Sequence, residues 1–180
     1  MKPRIAVTSL CLVLGLDSSA GATGPGSEIP GCELASLTDG GRYDPRQYRG
    51  QVLWLDFWAS WCTPCAEVFP FLEDLQRDLG PRGLRVLAVG VDEDPRDARV
   101  FLARHPVNFA VAFDPAGMCA RRVGLEGMPS FYLIDAEGIV RVVHHGFRAG
   151  EAQELRKLVE TLLAELPADP EAERNEGAAR

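Results

Sequence analysis

The chain is poor in positive charge and in histidine. Its 180 residues include 19 lysines and arginines against 26 aspartates and glutamates, for a formal net charge of −7. Such an acidic protein is not expected to bind nucleic acid or an anionic membrane surface. Of three histidines, His144 and His145 are adjacent, so on a strand they would point to opposite faces. They are therefore poor candidates to complete a zinc site, and neither a metal nor another cofactor is expected.

The N-terminal apolar run is too short to cross a bilayer comfortably. Residues 5–16 are largely apolar and follow Lys2 and Arg4, whereas a membrane-spanning helix needs about 20 residues. Ala20–Gly21–Ala22 has the small-x-small form that signal peptidase accepts. We predict a signal peptide over residues 1–22 and a periplasmic or secreted protein. An uncleaved signal would instead anchor the protein to the membrane.

The rest of the chain has the length of one domain. Residues 23–30 are rich in glycine, serine and proline and are predicted to be a linker. Residues 31–166 are predicted to form the folded domain. The stretch 167–180 holds mostly alanine, glutamate and proline, so we expect a disordered acidic tail. There is no internal repeat, and we expect a monomer.

Cysteine is scarce enough for its count to be informative. One of five cysteines, Cys11, lies in the predicted signal peptide, which leaves the close pair Cys62 and Cys65 together with Cys32 and Cys119. An even number in an oxidising compartment allows complete pairing, although sequence alone does not assign partners. Cys32 and Cys119 could form a structural disulfide or remain two small buried thiols.

Hydrophobic periodicity predicts strands and helices in alternation, followed by a hairpin and a last helix. That last helix should direct Leu155, Leu158, Leu162 and Leu163 inward. A solvated loop is expected at Asp92 and Glu93. The order indicates an α/β sandwich with a mixed sheet. The predicted strands are 52–58, 86–91, 109–113, 131–134 and 139–144, and the predicted helices are 62–79, 95–105, 116–123 and 151–166.

The Cys62–Thr63–Pro64–Cys65 motif stands at the predicted start of a helix. The positive end of a helix dipole favours the thiolate of the first cysteine, and thiolate is the species that attacks a disulfide. The second cysteine, covered but within reach, could resolve the mixed disulfide. Trp61 and Pro64 offer an apolar surface on which a substrate could rest. A purely structural bond and half of a zinc site are the alternatives.

Two stretches resemble thioredoxin-fold proteins of the TlpA/ResA type. They are Leu55–Cys65, with the sequence LDFWASWCTPC, and Gly127–Asp135, with the sequence GMPSFYLID. The resemblance extends over residues 30–165. It implies an α/β, thioredoxin-like three-layer sandwich in which helices flank a central mixed β-sheet. It also implies a thiol–disulfide oxidoreductase that works outside the cytoplasm, usually as a reductant.

The resemblance also implies roles for single residues. Cys62 would be the attacking cysteine and Cys65 the resolving one. Pro129 would be a cis-proline whose loop, with Met128, lies against the disulfide and binds substrate backbone. Partners would be proteins with thiols or disulfides, such as apocytochrome c or copper-site proteins. A membrane thiol carrier would donate the electrons.

Two positions depart from the family pattern. Many members carry a glutamate three residues after the second cysteine, where this chain has Val68, and Glu67 should point to another face of the helix. Many have asparagine where this chain has Asp56, whereas aspartate there is the pattern of thioredoxin itself. By that likeness Asp56 would lie buried and handle the proton of Cys65. Because it interrupts an apolar strand, desolvation should raise its pKa.

The function predicted from the sequence is dithiol–disulfide exchange in the reducing direction. The Thr63–Pro64 dipeptide lacks the histidine of strongly oxidising relatives, which favours a reductant. Alternatives are an oxidant or isomerase on the same fold and a metal-handling chaperone that uses Cys62 and Cys65. A peroxidase is a further alternative, although its reactive cysteine would stand alone.

Overall fold

The computed structural model describes residues 23–167. The predicted signal peptide lies outside these residues, and so does the predicted tail apart from Pro167. Within 23–167, no helix is both long enough and apolar enough to cross a membrane.

Seven strands form one mixed sheet in the order β2-β1-β5-β4-β3-β6-β7. The central strands β3, β4 and β5 are parallel, while β1 and β6 pair antiparallel to the strands beside them. The parallel strands β3 and β4 therefore end at the same edge of the sheet. The bounds are β1 Leu34–Ser36, β2 Arg42–Tyr43, β3 Val52–Trp58, β4 Leu84–Gly90, β5 Ala110–Phe113, β6 Ser130–Ile134 and β7 Val140–His145.

Four α-helices connect or follow the strands. They are α1 Thr63–Leu79, α2 Pro95–Arg104, α3 Met118–Val123 and α4 Ala152–Ala164, with short 3-10 turns at Pro45–Tyr48, Gly80–Arg82 and Ala149–Glu151. Pro64 lies in the first turn of α1, where its missing N–H leaves no helical hydrogen bond unmade. Each predicted element from β3 onward is present, with bounds that differ by a few residues.

The sheet separates two apolar cores, because successive side chains of a strand point to opposite faces. Trp54 and Trp58 of β3 pack with α1, α2 and α4 in the first core. Leu55 and Phe57 of the same strand pack with α3 and the N-terminal segment in the second. The predicted three-layer α/β sandwich is confirmed.

The segment 23–30 is not a free linker in this structure. Ile29 is buried in the second core, and the Gly26 N–H donates to the carbonyl of Val140. Glu28 forms an isolated bridge with Ile139. The linker prediction is wrong here because it rested on composition, and main-chain bonding of this kind does not depend on side chains.

The inward face of α4 also differs from the prediction. Leu158 is 41% exposed, whereas Val159 is fully buried, with 0% exposed. Leu155, Val159, Leu162 and Leu163 form the buried stripe. At 3.6 residues per turn, positions 155, 159, 162 and 163 follow one face, and 158 lies at its edge.

Cys32 and Cys119 are joined by a disulfide. Both are almost fully buried in the second core, on the side of the sheet away from α1. The bond ties the N-terminal segment to α3 and closes a loop over a sequence separation of 87 residues.

Replacing both Cys32 and Cys119 with alanine should lower the free energy of unfolding by about 2–4 kcal/mol, because the loop is no longer closed in the unfolded chain. Denaturant unfolding measures this. Exchange at Cys62 and Cys65 should persist, since the two disulfides lie in different cores. A non-reduced digest of the unsubstituted protein should yield Cys32 joined to Cys119. A free, alkylated Cys119 there would contradict the assignment.

Candidate functional site

Cys62 and Cys65 form a disulfide at the N-terminus of α1. Cys62 is the N-cap residue, and the Cα atoms of the two cysteines are 5.3 Å apart. Cys62 is 5% exposed and Cys65 is 0% exposed. The two differ less than predicted, but only Cys62 has any surface that a substrate could reach.

Cys62 lies beside the first main-chain N–H groups of α1, because it is the N-cap residue. The first N–H groups of a helix have no intrahelical partner, and the side chain of Cys62 makes no capping hydrogen bond. The first turn of α1 contains no acidic residue. In the dithiol state, these amides and the helix dipole therefore favour a thiolate at Cys62 over one at Cys65.

An apolar surface surrounds the disulfide. Trp61 is 68% exposed, and Thr63 and Pro64 are also exposed. A tryptophan with this much exposed apolar surface is a common anchor for a protein partner. Below this surface, Trp58 is buried edge-on against Phe69 and fixes the end of β3. Gly90 leaves room for it, since a Cβ at Gly90 would lie 3.2 Å from the Trp58 ring.

Asp56 is buried in the middle of β3 and is 1% exposed. Asp56 lies two residues from Trp54 and two from Trp58, so its side chain is on the same face of β3 as theirs. It therefore faces α1 and the first core, where Cys65 also lies. Neither carboxylate oxygen has a hydrogen-bond partner among the residues described. Burial raises the pKa of Asp56 to about 8. The structure thus places the acid on the redox side of the sheet.

The Met128–Pro129 peptide bond is cis. Pro129 directly precedes β6, and Ser130 pairs with Phe57 of β3. The loop before β6 therefore lies at the edge of the sheet from which the chain leads to Cys62. Met128 is half-buried and packs against the core that contains both cysteines. The cis bond agrees with the resemblance, and the substrate contact implied for the loop stays a prediction.

A contact that the sequence analysis missed holds the loop before Cys62. Asp92 is buried and accepts hydrogen bonds from the main-chain N–H of Ser60, at 3.1 Å, and from its hydroxyl, at 2.6 Å. The expectation of a solvated loop at Asp92 is therefore wrong. Trp58 and Gly90 are paired at the ends of parallel strands, so the residues two positions beyond them meet. The sequence carries no local signal for this contact, because it depends on the pairing of β3 with β4.

One groove opens beside Cys62, between α1 and α2. It has a volume of about 390 Å³ and is called the α1/α2 groove below. Residues from the two helices and from the loop before α1 form its walls: Ser60, Cys62, Thr63, Ala66, Asp97, Val100, Phe101, Arg104 and His105. Nowhere in residues 23–167 do three or more histidine, cysteine, aspartate or glutamate side chains come together in a way that could hold a metal ion.

Cys62 and Cys65 belong to the first core, and Met128 of the proline loop packs against that core. The two helix positions at which the chain departs from the family pattern are Val68 and Glu67. Val68 is buried in the first core, and Glu67 is exposed on the other side of α1. Position 68 therefore has no carboxylate, and the carboxylate of Glu67 is not buried. The Cys32–Cys119 disulfide lies in the second core.

Comparison with known proteins places this geometry among thiol–disulfide exchange proteins. The Redoxin family model matches residues 24–162. The chain is 28% identical over 115 residues to the thiol-disulfide oxidoreductase ResA of Bacillus thuringiensis subsp. konkukian, covering 64% of this chain and 66% of that protein. It is 30% identical over 125 residues to ResA of Geobacillus thermodenitrificans, with 69% and 71% of the two chains covered.

A solved structure gives the same result in three dimensions. It comes from Chlorobium tepidum and is assigned as the thiol:disulfide interchange protein DsbE. The TM-score is 0.76 at 37% sequence identity, over 79% of this chain and 99% of that one.

Proposed function

This chain belongs to the Redoxin family and contains a thiol–disulfide oxidoreductase domain of the TlpA/ResA type, and from that premise we propose that the whole protein reduces disulfides in other proteins. The observation that carries the proposal is the Cys62–Cys65 disulfide, with the reachable cysteine capping a helix and the second one fully buried.

The proposed reaction moves two electrons and two protons to the substrate. The Cys62 thiolate attacks one sulfur of the substrate disulfide, so a Cys62–substrate bond forms and the other substrate sulfur leaves as a thiolate, which takes up a proton. The Cys65 sulfur, after losing its proton, attacks Cys62. The second substrate thiolate then leaves and is protonated. The substrate ends as a dithiol and the enzyme as the Cys62–Cys65 disulfide, the state in this structure.

We assign the surrounding residues to two tasks. Trp61, Pro64 and Met128 offer the substrate an apolar surface and a main chain beside Pro129. Asp56 accepts the proton of Cys65 when the mixed disulfide resolves. Its pKa of about 8 is close to the ordinary value of a thiol, about 8.5, so the proton would move between groups of similar affinity.

We also propose a cellular location and partners for the protein. The charge and apolar pattern of residues 1–22 favour export, and we propose a periplasmic or outward-facing location. Substrates would be proteins such as apocytochrome c or copper-site proteins, and a membrane thiol carrier would restore the dithiol. We propose that the protein acts as a monomer without a bound cofactor.

The reduction potential of the Cys62–Cys65 pair tests the direction. We expect a value near that of thioredoxin, about −270 mV, because the Thr63–Pro64 dipeptide adds no charged group that would stabilise the dithiol state. The protein is equilibrated with dithiothreitol mixtures and alkylated. Peptide mass spectrometry then scores Cys62 and Cys65 separately from Cys32 and Cys119. A potential near about −120 mV would make the protein an oxidant and overturn the proposed direction.

A further inference from the structure

The α1/α2 groove begins at the reachable cysteine and contains an arginine near its other end. One wall carries Thr63 and Ala66, and the other carries Val100 and Phe101. Val100 is exposed although it is a large apolar residue. The groove thus offers apolar contact close to Cys62, a carboxylate at Asp97, and a guanidinium further away, at Arg104.

The helices fix how far Arg104 lies from the site. Asp97, Val100, Phe101 and Arg104 follow one face of α2, and Asp97 and Arg104 are seven residues apart, a rise of about 10 Å. Both helices follow strands that end at the same sheet edge, and the Ser60–Asp92 bond joins their starting points. Cys62 and Asp94, the N-caps of α1 and α2, each follow one of the two joined residues by two positions, so they lie at the same level. Arg104 is ten residues beyond Asp94 and therefore lies about 15 Å, nearly three helical turns, below the level of Cys62.

Arg104 is exposed and forms no salt bridge among the residues described. A second cavity, on the far side of Arg104, brings Glu73 and Asp74 near it. Both are engaged elsewhere. Glu73 accepts the N–H of Asn108, and Asp74 pairs with Arg77 at 2.7 Å. Neither of them, nor Asp97 in the α1/α2 groove itself, forms a salt bridge with Arg104 among the described residues, so its guanidinium is available to a ligand.

We propose that the α1/α2 groove binds the substrate segment next to the attacked disulfide, and that Arg104 selects an acidic side chain about four or five residues from the attacked cysteine. The spacing follows because an extended chain advances about 3.3 Å per residue. Val100 and Phe101 would contact the residues between. This inference rests on the proposed function and names a class of substrate for it.

Symmetric disulfide dimers of short peptides test the proposal. Each peptide has one cysteine and either aspartate or lysine four or five residues before or after it, since the direction of the bound chain is not fixed. The reduced, unsubstituted protein is mixed with excess dimer, and released peptide thiol is quantified after acid quenching. For one of the two directions we expect aspartate peptides to react about fivefold faster than lysine peptides, the scale of one exposed ion pair, and the preference to shrink in 0.5 M NaCl.

Two variants of matched charge decide the assignment. Arg104→Glu should reverse the preference toward lysine. Arg99→Glu makes the same change on the same helix outside the groove, and it should retain the preference for aspartate. Equal rates for aspartate and lysine in both directions, or an equal response to both variants, would overturn the inference. A protein that also fails to reduce 2-hydroxyethyl disulfide would overturn the proposed function itself.

Discussion

Cys65→Ser should leave the reduced protein covalently bound to its substrate proteins. Cys62, the N-cap of α1, can still attack a disulfide, but no second thiol remains to break the mixed disulfide. Serine fits the buried site of Cys65 with little change in volume. We expect adducts that survive non-reducing electrophoresis and disappear with dithiothreitol, whereas the unsubstituted protein should show almost none. Mass spectrometry should place each adduct on Cys62.

The matched control is Cys62→Ser, which retains Cys65. This variant should form no adduct, because the buried Cys65 cannot reach a substrate. Cys32 and Cys119 remain paired in both variants and report any non-specific exchange. Adducts formed by Cys62→Ser alone would reverse the order of attack. Equal adducts from both variants would show that the accessibility of the two sulfurs does not decide the order.

The redox motif could be predicted from sequence because its geometry is local. A cysteine pair at i and i+3, with Pro64 in the first helical turn, is set by the helix itself. The burial of Asp56 could be predicted for a related reason. A single acid in a continuous apolar strand has no route to solvent when the strand is central.

The features that were missed depend on chain segments distant in sequence. The contact of Asp92 with Ser60 exists only because β3 and β4 are neighbours in register. The packing of Ile29 depends on the N-terminal segment finding the second core. At α4, Leu158 and Val159 suit a helix equally well by composition, and the position of the sheet decides which of them is buried. The hydrophobic pattern along the chain does not show where the sheet lies relative to α4.

Asp56→Asn should stabilise the oxidised protein near neutral pH. The folded pKa of Asp56, about 8, lies above the ordinary value of 3.8 for an aspartate, so the folded state holds the proton more tightly. Its contribution to stability is fully present below about 3.8, falls as pH rises through about 8, and is constant above that. Asparagine does not titrate, so the free energy of unfolding of the variant does not fall for this reason as pH rises.

The advantage of the variant should therefore grow with pH. Between the two pKa values the slope is about 1.4 kcal/mol per pH unit. From pH 5 to pH 8 the difference in unfolding free energy should rise by roughly 3–4 kcal/mol. The raised pKa behind this change comes from desolvation of the buried carboxyl group. Denaturant unfolding of the disulfide form measures the difference without titration of Cys62 or Cys65.

The same substitution should slow the enzyme, because it removes the group proposed to accept the Cys65 proton. We expect turnover in insulin reduction to fall by about a hundredfold near neutral pH, the lower end of the range for loss of a general base. Glu67→Gln is the control, since it removes an exposed carboxylate from α1 and should change neither quantity. A variant that is more stable and less active identifies a residue retained for chemistry at a cost to the fold. A difference in stability that does not vary with pH, together with unchanged turnover, would remove Asp56 from the mechanism.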